Sequence, residues 1–171
     1  MTRYAALLRG VNVGGVNLKM AAVAEALTGA GFTDVATILA SGNVLLTSRS
    51  GAAAVRRSAE RALRDAFGYD AWVLVYDLET VRAVSTAFPF TREVDGVQSY
   101  VTFVSDPDVL DELADLEPGE HERIERGDGV VYWQVPKNST LDSAIGKTMG
   151  KKRYKSSTTT RNLRTVEKLL C

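Results

Sequence analysis

Residues 35–76 read VATILASGNVLLTSRSGAAAVRRSAERALRDAFGYDAWVLVY, and this stretch decides the fold. Residues 35–40 and 44–48 are short, apolar runs on either side of Ser41-Gly42-Asn43. That triplet favours a turn, so the two runs predict a pair of strands joined by it. From 52 to 67 the period changes: Val55, Ala59, Ala62, Leu63, Ala66 and Phe67 fall on one helical face, and Gly68 ends the helix. Trp72-Val73-Leu74-Val75-Tyr76 is then a further strand. Upstream, residues 3–9 form another short apolar strand, followed by the glycine-rich Gly10-Val11-Asn12-Val13-Gly14-Gly15-Val16. Asn17 is expected to cap a helix carrying Met20, Val23, Ala24, Leu27 and Ala30, with Gly31 as its stop. The order is β-α-β-β-α-β, the split arrangement of a ferredoxin-like sheet with both helices on one face.

The rest of the chain repeats that order without repeating its residues. Asp77 is expected to cap a short helix reaching Phe88, with Pro89 as its stop. Residues 99–105 read as a strand, and Asp106-Pro107 as a cap and first helical turn. Residues 120–126 and 130–135 flank Gly127-Asp128-Gly129, a hairpin signal. Ser139 and Asp142 resemble a capping box for a helix reaching Met149. Arg153-Tyr154-Lys155 is the best candidate for a fourth strand, and a terminal helix is expected after Thr159-Thr160. The expected class is therefore α+β: two related ferredoxin-like halves with antiparallel sheets, residues 1–90 and 91–171, plus a C-terminal helix.

The chain has 171 residues, 45% apolar and 25% charged, with 21 basic and 21 acidic groups. Such a composition excludes a disordered, collagen-like, disulfide-built or uniformly basic protein. The zero net charge is an average. Residues 1–64 carry +5, 65–105 carry −4, 106–128 carry −8 and 129–171 carry +7. Basic ends folded together would make one positive region; alternatively, the acidic block covers the basic one. Cys171 is the single cysteine, so no internal disulfide forms, as in a reducing cytosol. The N-terminus lacks the apolar run of a signal peptide, and no run approaches a membrane span. A cytoplasmic protein with no membrane partner is expected.

Two regions are candidates for binding an anion. The glycine loop lies between a strand and a helix, where backbone N–H groups and the helix dipole favour negative charge, and Arg9 and Lys19 flank it. It is neither a dinucleotide fingerprint nor a P-loop, and a turn needing glycines at positive φ is the alternative. The second region runs from Lys147, Lys151, Lys152, Arg153 and Lys155 into Ser156-Ser157-Thr158-Thr159-Thr160-Arg161-Asn162. Tyr154 among the cations would permit base stacking; a capped helix with a soluble basic approach is the alternative. Trp72 and Trp133 are expected in the core, and the one histidine, His121, in an acidic, solvent-facing strand. One histidine and one cysteine do not make a zinc site, so no metal or cofactor is expected.

Arg9-Gly10-Val11-Asn12-Val13-Gly14-Gly15, then Ser41-Gly42-Asn43-Val44, then Thr159-Thr160-Arg161-Asn162 with Leu169-Leu170, resemble the signatures of a bacterial family, domain of unknown function 1697. The resemblance spans essentially the whole chain. It implies two α+β subdomains of ferredoxin-like character. It also marks Arg9, Asn12, Gly14, Gly15, Ser41, Asn43, Arg161 and Asn162 as the positions to inspect, without giving them roles. Members often carry Trp after Thr-Thr-Arg-Asn; here Leu163 stands in that place.

The leading expectation is a binding protein for an anionic ligand, a nucleotide or single-stranded nucleic acid. Backbone amides of residues 12–15, Arg9 and Arg161 would contact phosphate, and Asn12, Asn43 and Asn162 would orient the ligand. One alternative is an enzyme acting on a small phosphorylated metabolite, with Ser41 or Tyr154 as reactive hydroxyl and Lys147 or Lys151 moving the proton. Another is a protein–protein module using its opposite charge blocks.

Overall fold

The computed structural model describes residues 1–12, 16–138, 140, 143–149 and 151–171. The chain divides into two compact units, Met1–Val81 with Leu169–Cys171, and Arg82–Lys168.

The first unit contains β1 (Thr2–Leu8), α1 (Met20–Gly29), β2 (Thr33–Ile38), β3 (Asn43–Ser48), α2 (Ala52–Phe67) and β4 (Val73–Asp77). The sheet order is β2-β3-β1-β4, antiparallel throughout. Strand alternation sends Tyr4, Ala6 and Leu8 of β1 to the helix-covered face, where they pack with Val44, Leu46, Val73 and Val75. Both helices supply the other half of that core: Val23 and Leu27 from α1, Val55, Ala59 and Leu63 from α2. Full burial of Leu63 contributes about 1.5–3 kcal/mol. Helix α2 ends as its sequence predicts: Gly68 takes φ +65° and its N–H reaches the Arg64 carbonyl at 2.9 Å. Strand β2 lies at the sheet edge. Its register shifts between Thr33 and Ala36, with Asp34 at φ +49° and the Arg3 guanidinium bonded to the Asp34 carbonyl.

The short helix α3 (Leu78–Thr86) contains the division between the units. Asp77 caps it as predicted, its carboxylate accepting from the Thr80 N–H at 2.7 Å.

The second unit contains β5 (Val97–Val104), α4 (Pro107–Ala114), β6 (Arg123–Arg126), β7 (Val130–Pro136), α5 (Ala144–Met149), β8 (Thr158–Asn162) and all but the last residue of α6 (Leu163–Leu169). Its sheet order, β6-β7-β5-β8, is that of the first unit. One face packs Val104, Val131, Trp133 and Val135 against Leu110 and Leu113 of α4 and Ile145 and Met149 of α5. Trp133 stacks on Tyr100 at 4.5 Å, and its indole N–H donates to the Thr102 hydroxyl at 2.9 Å, satisfying a buried donor. The other face is held by the end of α3 and the segment that follows it. Tyr132 donates to the Val84 carbonyl, Gln134 to the Thr91 carbonyl, and Phe88 meets the Tyr132 ring edge-on at 5.6 Å. The fold is thus α+β, two βαββαβ halves and a C-terminal helix, as read from the sequence.

Five local readings are corrected. Asn17 does not cap α1: Lys19 holds the cap position without a side-chain bond, because the loop continues two residues further. His121 sits in a turn at φ +66°, exposed beside Glu120, and the strand begins only at Arg123. Trp72 is half-buried rather than core, lying under the Arg64 guanidinium at 4.7 Å. Lys152–Tyr154 is a 3-10 turn; the fourth strand is Thr158–Asn162. Thr159-Thr160 therefore lies inside a strand, and Asn162 opens the last helix by accepting from the Arg164 N–H at 2.9 Å. The β-branched threonines favour the pleated strand, and pairing with β5 places Thr160 opposite Thr102. The capping-box positions Ser139 and Asp142 lie outside the described residues; within them, Ser143 accepts from the Gly146 N–H at the start of α5.

Candidate functional site

In the first unit the glycine loop and the Ser41-Gly42-Asn43 turn adjoin. Strand β1 ends at Leu8, whose N–H donates to the Gly42 carbonyl at 2.8 Å. Gly42 has φ +87°, and a Cβ there would sit 2.8 Å from the Leu8 Cβ, so only glycine allows this approach. Asn43 is fully buried, donating to the Ile38 carbonyl and to the Ser41 hydroxyl, both at 2.9 Å. It therefore closes the turn and holds the Ser41 hydroxyl.

Asn12 ties the loop to that turn. Its backbone is left-handed at φ +59°, a conformation that asparagine tolerates. Its side chain donates to the carbonyls of Leu18 (2.9 Å) and Ala40 (2.6 Å) and accepts from the Leu18 N–H (2.8 Å). The Asn12 N–H bonds the Val16 carbonyl at 2.8 Å, drawing the loop closed. Gly14 and Gly15 lie outside the described residues. Arg9 is half-buried beside the loop, and burial pushes its pKa down from the usual arginine value. Its backbone N–H bonds the Trp72 carbonyl, so the loop leaves the sheet between the turn and the approach to β4. At the start of α1 the cap residue, Lys19, is exposed and makes no side-chain cap bond, and the first turn holds no acidic residue.

Arg161 and Asn162 belong to the second unit. Arg161 is buried, and burial pushes its pKa down to about 10. Its guanidinium donates to the Thr159 hydroxyl at 2.6 Å and the Thr160 carbonyl at 2.9 Å. Asn162 bonds Gln98 at 3.2 Å and lines an open cleft of about 190 Å³. Arg92, Lys137 and Arg164 share that cleft with Glu93, Asp95 and Glu167, so both signs of charge face it.

Tyr154 is not a stacking platform. It is only 2% exposed; its hydroxyl donates to Glu112 at 2.8 Å, and the Arg153 guanidinium lies 4.6 Å from its ring. Arg153 pairs with Glu112 at 2.7 Å, and Arg126 pairs with Asp111. The acidic helix α4 thus takes up part of the basic charge within its own unit. Lys151, Lys152 and Lys155 stay exposed around the buried tyrosine. Among the described residues no group of three His, Cys, Asp or Glu is arranged to hold a metal, and no helix is long and apolar enough to cross a membrane.

Sequence reasoning missed two features. The Asn12 clasp reaches Ala40, and nothing local to Asn12 announces that partner. Glu122 accepts from the N–H groups of Gly119 and Ala144, joining the turn before β6 to α5.

No curated protein matches this chain. Among solved structures, a conserved bacterial protein, SP0830 from Streptococcus pneumoniae, is similar with a TM-score of 0.80 at 26% identity, over 98% of this chain and 96% of that one. The signature of a protein family of unknown function, DUF1697, matches residues 1–132. A match over so much of the sequence, together with the paired βαββαβ halves, places the chain in the DUF1697 family.

Proposed function

We propose that the protein binds a small phosphate-bearing ligand, a nucleotide, at the loop joining β1 to α1. One observation carries this reading. The two halves share a topology, yet the same strand-to-helix connection takes eleven residues, 9–19, in the first and only Ser105 and Asp106 in the second. The fold therefore does not need the longer loop, and long braced loops are where binding sites concentrate.

The ends of the two connections differ in charge as well. Helix α4 begins with its own carboxylates: Asp106 accepts from the Asp108 N–H at 2.9 Å, and Asp108 lies in the first turn. Helix α1 has no acidic group in its first turn, and its cap residue is the basic Lys19. A helix start without its own anion attracts one from solution. The basic turn of the second unit supports single-stranded nucleic acid less well, because its aromatic residue is buried.

Calorimetric titration with inorganic phosphate and adenosine monophosphate tests the reading. Binding is expected, weakened in Arg9→Ala and in Lys19→Ala with folding retained. No heat at millimolar ligand, or affinities unchanged in both variants, would overturn it.

A further inference from the structure

The open cleft of about 190 Å³ lies at one end of the second sheet and is lined by residues of that unit alone. The topology sets out its charges. Strand β5 runs between β7 and β8. The chain entering β5 carries Glu93 and Asp95; Lys137 follows β7 on one side, and Arg164 follows β8 on the other. The Lys137 N–H bonds the Gly96 carbonyl at 2.9 Å, which holds it beside the start of β5. Among the lining residues, Gln98 of β5 and Asn162 of β8 meet at 3.2 Å. Asn162 also accepts from the Arg164 N–H at 2.9 Å, so the start of α6 is already satisfied and the charge in the cleft comes from side chains.

Two of the charged lining residues are engaged with each other. Arg92 pairs with Glu167 at 3.5 Å and also bonds the Ser85 carbonyl, joining the segment after α3 to α6. Lys137, Arg164, Glu93 and Asp95 make no ion pair among the described residues. Two charges of each sign therefore face one cleft without neutralising one another. A simple anion drawn by Lys137 and Arg164 is repelled by Glu93 and Asp95, and a simple cation meets the reverse. A zwitterion meets both signs favourably. Drug-sized ligands occupy pockets of roughly 300–1,000 Å³, so this smaller cleft suits a single amino acid. Val94, Val97 and Leu163 are the apolar side chains of its lining, which is otherwise polar or charged and favours a polar side chain on the ligand.

We propose that this cleft binds an α-amino acid with a polar side chain, its carboxylate taken by Lys137 and Arg164 and its ammonium by Glu93 and Asp95. The proposal concerns the second unit and does not rest on the phosphate reading of the first.

Calorimetric titration of the full chain with each of the twenty common L-amino acids tests it. At least one polar amino acid should bind at millimolar concentration or below. Its N-acetyl derivative lacks the ammonium and its methyl ester lacks the carboxylate; each should bind roughly tenfold or more weakly, having lost its charge-assisted hydrogen bonds. The double variant Glu93→Gln, Asp95→Asn should weaken binding of the amino acid and spare its N-acetyl derivative. The double variant Lys137→Gln, Arg164→Gln should weaken binding of the amino acid and spare its methyl ester. All four side chains belong to exposed residues, so both variants should melt at the wild-type temperature. No heat from any amino acid, binding confined to apolar ones, an N-acetyl derivative or methyl ester as tight as its parent, or unchanged affinity in both variants would overturn the proposal.

Discussion

The side chain of Asn12 donates to the carbonyl of Ala40, 28 residues further along the chain, at 2.6 Å. The same amide group makes two bonds with the backbone of Leu18. One residue thus closes the loop after β1 and fastens it to the turn between β2 and β3.

Removing that clasp should loosen both segments. Asn12→Ala loses three side-chain bonds and puts alanine at φ +59°, for an expected cost of about 2–4 kcal/mol. Asn12→Gly restores the backbone freedom but not the bonds, so it should fall between the two. Urea unfolding of the three proteins measures this; equal midpoints would show that the clasp contributes nothing.

Gly42 and Gly10 separate two reasons for glycine. Both have positive φ, but only at Gly42 would a Cβ meet another side chain, Leu8, at 2.8 Å; at Gly10 nothing lies within 4 Å. Gly10→Ala is expected to cost about 1–2 kcal/mol from backbone conformation alone. Gly42→Ala adds overpacking of about 1–3 kcal/mol. Denaturation curves giving equal losses for both would contradict the close approach.

Tyr154 predicts a split between stability and binding. Tyr154→Phe removes the hydroxyl that donates to Glu112 and should cost about 1 kcal/mol. Tyr154→Ala empties a core position and should cost about 3–5 kcal/mol. Nucleotide affinity of the phenylalanine variant should match the wild type. A large loss of affinity without loss of stability would return Tyr154 to the binding surface.

Tyr76 supplies a pH dependence. Burial raises its pKa well above the usual tyrosine value, partly opposed by the Arg56 charge. The folded protein holds this proton at pH values where the unfolded chain, with a pKa of about 10, releases it. Its contribution to stability is complete below that pKa and is lost as pH rises further, so unfolding in base is favoured. In an alkaline titration, the tyrosinate signal absent from Tyr76→Phe should appear together with loss of circular dichroism. Ionisation near pH 10 in a still-folded protein would contradict the burial.

Features written by neighbouring residues were legible in the sequence. Gly68 ends α2, Asp77 and Asp106 cap their helices, and Gly127-Asp128-Gly129 marks a hairpin, because each depends on chemistry within a few residues. The fourth strand of the second unit was not. Its threonines read as hydroxyl-bearing caps until Thr160 is paired with Thr102, 58 residues away, at 2.8 Å. Tyr154 among lysines likewise reads as exposed until Glu112 is brought beneath it. In the candidate site, Ser41, Gly42 and Asn43 were legible as a turn, but the Asn12 clasp depends on how distant segments meet.

The two edge hairpins carry a consequence for self-association. Unpaired strand edges invite a neighbouring chain to add on. Three of the four residues of β6, Arg123, Glu125 and Arg126, are charged, whereas Val35, Ala36, Thr37 and Ile38 of β2 are not. The β6 edge is guarded by charge, and the β2 edge is interrupted by the register irregularity at Thr33–Ala36, of the kind that disturbs a flat template. Salt shortens the reach of charge from about 10 Å at 0.1 M to about 3 Å at 1 M but leaves a kinked backbone unchanged. The β2 and β6 edges therefore resist strand addition by different means, and of these two guards concentrated salt weakens only the one on β6.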